Sequence, residues 1–362
     1  MSKRFSLSAL LSQTLVAFVI ELDNTFEQRM PHRTARLGLL VGPPDAPWLA
    51  SMAMWANCMR YVDEAGVTAA ELARRARMST NFDGMRRWGY VTLGGHGRGD
   101  RVAHVRKDTL IRPTRAGLQA QELWAALPAE IETRWEGRFG ADTMTALRSA
   151  LGELVGQLSA DLPDFMPILG YGLVADRAAT SGVSTEAATE LPLFALLSRP
   201  LVAFADEFDA TSPVSIAMTV DVLRPIDEAG VAVRDLPRLT GVASELIAVG
   251  LSWLGKRRLL SVVTVDRTRQ VRLTAAGVGA RARALKQVGE IEIAWRARYG
   301  ERTIGAVRDA LEALVGDGTP DGSPLYRGLT SPADGWRALL ATPATLPHFP
   351  MVTHRGGYPD GS

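Results

Sequence analysis

Only one of the 362 residues is a cysteine, Cys58. No internal disulfide is available, and no cysteines and histidines cluster at the spacing of a zinc site. The expectation is a reducing, cytoplasmic setting, with no metal or other cofactor. An excess of charge of one sign is also lacking: 41 Lys and Arg stand against 39 Asp and Glu, a net charge of +2. Any nucleic-acid surface must then be a local patch, not a global basic field. No uninterrupted apolar run reaches the roughly 20 residues of a membrane span. The apolar stretch Leu7 to Ile20, behind Lys3 and Arg4, superficially resembles an export signal. Ser8, Ser12, Gln13 and Thr14 interrupt it, and no small-x-small cleavage site follows. Catalytic motifs are missing too. There is no H-E-x-x-H, no G-x-S-x-G and no phosphate loop between a strand and a helix. The glycines of Gly94-Gly-His-Gly-Arg-Gly99 join two extended segments instead. A base-flipping enzyme needs a convergent acid/base set, and the carboxylates are scattered. These absences argue against an enzyme.

What is present is a repeat. Leu10 to Thr25 and Leu196 to Thr211 are identical at ten of sixteen positions, at an offset of 186. VDEAGV from Val62 matches IDEAGV from Ile226 at an offset of 164. EIETRWEGRFG from Glu130 matches EIEIAWRARYG from Glu290 at an offset of 160. Order is kept and only insertions change the offset, the largest being about 22 residues near Arg29 to Ala50, as expected of a loop. The recurrence of Leu10 to Thr25 in mid-chain makes the N-terminal apolar stretch a domain helix. Hydrophobic content of 46% and charged content of 22% suit folded domains.

Each copy predicts the same element order. An apolar helix opens it, Leu7 to Phe26 and Leu193 to Phe208. A second helix follows, Leu49 to Asp63 and Val214 to Asp227, with Gly66 and Gly230 as helix ends. Thr68-Ala-Ala-Glu71 has the capping-box pattern for a short third helix, matched by Val233 to Leu239. A turn leads to another helix, Ser79 to Trp88 and Ala243 to Leu254, which is helix-turn-helix spacing. Alternating valines then predict a two-stranded wing in copy two, Leu259 to Val265 and Gln270 to Leu273, around a turn at Asp266-Arg-Thr-Arg269. Copy one has a longer, Gly-rich tip, Gly94 to Lys107. Thr114 and Thr274 cap a long helix in each copy, and a last helix, about Asp142 to Leu158 and Arg302 to Val315, closes it. The domains are therefore 1–162, a linker 163–190 rich in Gly, Ser and Thr, 191–317, and a Pro/Gly-rich tail 318–362 that keeps Trp336, Phe349 and Tyr358 and is expected to pack in extended form. The fold class is mainly α with small β-wings, as two tandem modules forming an intramolecular pseudo-dimer.

This order, with the Asp/Arg wing and Leu273-Thr274-Ala-Ala-Gly277, resembles the MarR family of winged helix-turn-helix transcriptional regulators. The resemblance covers nearly the whole chain, once per copy, and its sharpest motif is clean only in copy two. It implies that the first and last two helices of each copy make a dimer, here within one chain, and that wings and recognition helices touch double-stranded DNA. On that basis the candidate DNA-binding residues are Ser79, Thr80, Asn81, Arg86, Arg87, Arg98, Arg101, Arg106 and Lys107 in copy one. Those in copy two are Ser244, Arg267 and Arg269. Arg reads guanine and Asn reads adenine bidentately in the major groove, and Arg at a wing tip enters a narrow minor groove. The second recognition helix, Val242 to Val249, is mostly apolar. The reading left open is therefore a ligand- or protein-binding module that has lost sequence-specific DNA binding. The resemblance also implies a small amphipathic or aromatic effector, for which Trp55, Trp135 and Trp295 are the candidate contacts. Packing is the alternative role for these tryptophans, and a buried structural thiol is the expectation for Cys58.

Overall fold

Ser6 starts the first helix: its hydroxyl accepts from the Ala9 amide at 3.2 Å, the usual N-cap bond, and α1 runs Leu7–Arg29. In this computed structural model the described residues are 5–30, 55–76, 82–97, 100, 105–159, 162, 190–227, 229–330 and 343–349. The first half continues with α2 (Asn57–Met59), β1 (Val67–Thr68), α3 (Ala69–Ala76), α4 (Phe82–Trp88), β2 (Val91–Leu93), β3 (Leu110–Pro113), α5 (Arg115–Phe139) and α6 (Ala141–Val155). The second half has α7 (Leu193–Thr211), a π-helical turn (Ile216–Val220), α8 (Asp221–Leu223), β4 (Val231–Ala232), α9 (Leu236–Thr240) and α10 (Ser244–Lys256). It ends with β5 (Leu260–Val265), β6 (Thr268–Leu273), α11 (Ala275–Tyr299) and α12 (Glu301–Val315). The chain is thus mainly helical with small antiparallel sheets. The two sheets share one topology, β1-β3-β2 and β4-β6-β5.

Two expectations need correction. The second helices stop at Met59 and Leu223, short of Asp63 and Asp227. Gly66 and Gly230 do not close them: at φ +89° each, they lead into β1 and β4. Their amides donate to the Asp63 and Asp227 carboxylates at 2.8 and 3.0 Å. The hairpin turn of the second half is also tighter than expected. Val265 pairs with Thr268, so Asp266 and Arg267 alone make the turn.

The Thr-x-x-Gly starts have a steric reason. Thr114 and Thr274 accept from the amides of Gly117 and Gly277 at 3.0 and 3.1 Å. A Cβ on either glycine would lie 2.0 Å from the Tyr90 carbonyl oxygen or 1.8 Å from that of Leu259. Only glycine lets these helices rest on the preceding backbone.

Elements of the two halves interlock. α1 packs on α7 and α6 on α12, while α1 also meets α12 and α6 meets α7. The last two contacts are exchanged copies of one another, as in an isologous pair. Bonds repeat with them. Glu132 accepts from the Leu193 amide at 2.9 Å and from Arg148 at 2.6 Å. Glu292 accepts from the Leu7 amide at 2.9 Å and from Arg308 at 3.0 Å. Arg148 also donates to the Leu191 carbonyl at 2.9 Å, and Arg308 to that of Phe5. Helix α1 is long and apolar enough to cross a membrane, and its apolar window is wholly buried against the rest of the protein. Cys58 is buried and in no disulfide.

Candidate nucleic-acid surface and cavity

In the second half, basic side chains gather around one strand pair. α10 ends in Lys256, followed by Arg257 and Arg258, all exposed. The turn between β5 and β6 then carries exposed Arg267, and β6 exposed Arg269 and Arg272. From Lys256 to Arg272 there are six basic side chains and one acid, Asp266. Asp266 and Arg267 hold φ of 47° and 63°, the left-handed conformation that a two-residue hairpin turn requires and that glycine or asparagine normally supplies. The turn is strained and its tip is cationic. Arg257 lies over the Trp253 ring, 3.4 Å from its centroid, a cation–π contact that fixes one of the charges. Exposed side chains described on α10 include Ser244, Ala248, Val249, Ser252 and Lys256.

The first half differs. Ser79, Thr80, Asn81, Arg98 and Arg101 lie outside the described residues. Arg86, expected to face DNA, instead points inward and is 3% exposed. It donates to Asp83 at 2.6 and 2.8 Å and to the Gly97 carbonyl at 2.7 Å. A guanidinium held in this way ties α4 to the loop after β2 and is too deeply buried to reach a base. Arg87 is half-buried, 3.3 Å from Asp83. Arg106 is exposed but paired with Asp108 at 2.9 Å, and that pairing holds the Asp108 carboxyl below its ordinary range. Lys107 is exposed. Arg74 and Arg75 both bind Glu71, at 2.6 and 2.7 Å, and hold its carboxyl down to about 2. That face is an ion-paired helix surface.

Trp55, Trp135 and Trp295 are fully buried and do not line the cavity described below. Trp135 donates to Glu21 at 2.9 Å and Trp295 to Glu207 at 3.0 Å. Each stands edge-on to its equivalent phenylalanine, Phe18 or Phe204. Each glutamate also pairs with an arginine of the same long helix, Arg138 at 2.5 Å or Arg298 at 2.9 Å. These two tryptophans therefore latch α1 to α5 and α7 to α11. Trp55 packs on Trp88, with ring centroids 5.7 Å apart.

The cavity lies elsewhere, where the first half meets the start of the second. Its volume is about 840 Å³, and the residues on either side of α2, helix α5 and the chain entering α7 wall it. Trp124, Tyr61, Phe194 and Leu22 supply apolar surface, and Arg60 and Arg148 are among its charged walls. Trp124 stacks on Phe26 at 4.8 Å and meets Tyr90 edge-on at 5.3 Å, so its ring is held rigidly. Its indole N–H is buried without a partner among the described residues. The size and the aromatic lining are those of a small-molecule site, and Asp63, Arg75, Gln121, Glu132 and Glu190 add polar groups to its walls. Sequence reasoning missed Trp124 and Arg60 because nothing local brings positions 60, 124 and 194 together. It also passed over Lys256-Arg257-Arg258, whose signal was three consecutive basic residues at a helix end.

No family model, curated protein or solved structure matches this chain.

Proposed function

We propose that the chain is a DNA-binding transcriptional regulator of MarR-like architecture, cytoplasmic and without catalytic activity, in which two tandem winged helix-turn-helix modules form a pseudo-dimer within one polypeptide. The observation that carries this reading is the second-half hairpin. A strained two-residue tip presents Arg267, next to exposed Arg269 and Arg272, and it follows a helix-turn-helix formed by α9 and α10. The same element order in the first half, on a core of exchanged contacts, supports two heads docking about one helical turn of DNA apart. In this reading Arg267 and Arg269 enter the minor groove, while Ser244 and Lys256 face the major groove and its phosphates. Arg87, Lys107 and Arg106 serve the first head, together with Ser79 to Asn81, Arg98 and Arg101. Arg86 organises that head without touching DNA. The cavity beside Trp124 takes a small aromatic or amphipathic effector.

The test is fluorescence anisotropy of DNA fragments from around the protein's own gene at several salt concentrations. The expected result is tight, sequence-selective binding at one chain per site, weakening steeply with salt. Binding indifferent to sequence, or none, would sink the reading.

A specific observation favours a second reading, a ligand- or protein-binding module. The exposed face of α10 includes Ala248 and Val249, and β5 exposes Val262 and Val263. An apolar surface of this kind suits a protein partner better than phosphates. Failure of the DNA experiment moves the assignment here.

A further inference from the structure

The two halves treat one place differently. At the repeat offsets, cavity-wall residues Ala56 and Arg60 correspond to Val220 and Arg224, and Leu191 to Phe5. Against Phe5, and against Asp221 next to Val220, lies a segment of the C-terminal tail, residues 343–349. The His348 ring meets Phe5 edge-on at 5.5 Å. The His348 and Phe349 amides donate to the Asp221 carboxylate at 3.2 and 2.9 Å, and Arg224 approaches the same carboxylate at 3.5 Å. Leu346, Pro347 and Phe349 are buried.

Two further details show how closely the segment is held. A Cβ on Gly241, in the turn between α9 and α10, would meet the Thr345 carbonyl oxygen at 2.3 Å, so the segment lies directly on the helix-turn-helix. Ser12 of α1 donates to the Pro347 carbonyl at 2.6 Å. Its repeat counterpart, Ser198, is a buried hydroxyl with no partner among the described residues. The tail segment thus takes up the hydroxyl of Ser12 and not that of its repeat equivalent Ser198.

We propose that residues 343–349 are the chain's own occupant of the second-half counterpart of the cavity, leaving the space beside Trp124 as the one effector site per chain. The strap also pins the second helix-turn-helix to the helix that opens the first half. The effector class is an aromatic molecule with a polar edge, since the open cavity offers Trp124, Tyr61 and Phe194 beside Arg60. This inference rests on the effector reading of the cavity given above.

The probe is 8-anilinonaphthalene-1-sulfonate, titrated into the full chain with sites counted by equilibrium dialysis. The wild-type chain is expected to bind one molecule, with affinity lowered ~tenfold by Trp124→Phe. In the full chain carrying Leu346→Asp and Phe349→Asp, a second site is expected to open. A synthetic peptide of residues 343–349 then displaces the probe from that site alone. Asp221→Asn serves as the gentler variant, since asparagine already stands at the counterpart position, Asn57. Hydrogen exchange at the His348 and Phe349 amides reports release. Two sites in the wild-type chain, or no added site once exchange shows both variants released, overturns the proposal. A second site that opens on release while Trp124→Phe leaves wild-type binding unchanged overturns the cavity reading and upholds the strap.

Discussion

Single residues carry the sharpest contrasts. Arg86 sits where a recognition helix would present a base contact, and position alone reads it as outward. The presence of Asp83 three residues earlier, and of a loop carbonyl at Gly97, turned it inward. Arg267 is the opposite case: it is exposed, and its backbone is strained. Replacing Asp266-Arg267 by Asn-Gly relieves two left-handed residues and is expected to stabilise the protein by about 1 kcal/mol. The same change is expected to weaken DNA binding and lower the salt slope by about one unit. Denaturant titration and anisotropy read the two effects, and a hairpin that only decorates the surface would show the first without the second. Asp221 offers a pH test. Burial, partly opposed by Arg224 and the two strap amides, pushes its carboxyl up from 3.8 to about 6. The folded state then holds the proton more tightly than the unfolded chain. The stability it contributes is full below about pH 4 and is lost as pH rises through 6. Measured against Asp221→Asn, the wild-type advantage is expected to shrink by no more than about 3 kcal/mol between pH 4 and pH 7. A flat difference would mean that the carboxyl is solvated and the strap loosely held.

At the scale of elements, the Thr-x-x-Gly starts of α5 and α11 show what a short motif can encode. The threonine as cap was legible from its place before a helical run. The glycine's purpose was not, because it depends on a carbonyl eighteen residues away along the chain, at Leu259. Gly277→Ala drives a methyl into that oxygen and is expected to cost about 2–4 kcal/mol. Gly289→Ala, exposed in the same helix with nothing within 4 Å of the added carbon, is expected to gain up to about 1 kcal/mol. Thermal or denaturant unfolding of the two variants checks the pair, and equal effects would show that the close approach at Gly277 is not restrictive. The second helices were read as too long for a related reason. Their apolar spacing continues past Met59 and Leu223, but Asp63 and Asp227 use their carboxylates to bond the amides of Gly66 and Gly230 and turn the chain toward the sheets.

For the whole molecule, the paired clasps at Glu132 and Glu292 are the test of internal symmetry. Each holds the first turn of a helix from the other half through a backbone amide and an arginine. Glu132→Gln and Glu292→Gln keep the shape and weaken these charge-assisted bonds. Each is expected to cost about 1–3 kcal/mol, with similar values for the two. Equilibrium unfolding measures both, and a cost confined to one would mean that the halves do not share a common core. The proposed asymmetry is built around that core. The first half has an inward arginine and an open cavity, which Glu132 and Arg148 of its clasp help to line, and the second has a basic hairpin and a strap.

The sequence by itself determined the duplication, the order of elements, the caps at Thr114 and Thr274, and the basic hairpin of the second half. These rest on local periodicity and on short-range bonds, which neighbouring residues specify. Tertiary structure alone decided which way Arg86 faces, that Trp135 and Trp295 latch helices together, that Trp124 walls a cavity, and that Asp221 takes the strap. Each of these depends on groups that are tens to hundreds of positions apart or on how a side chain's donors are shared, and no sequence spacing records where those groups meet.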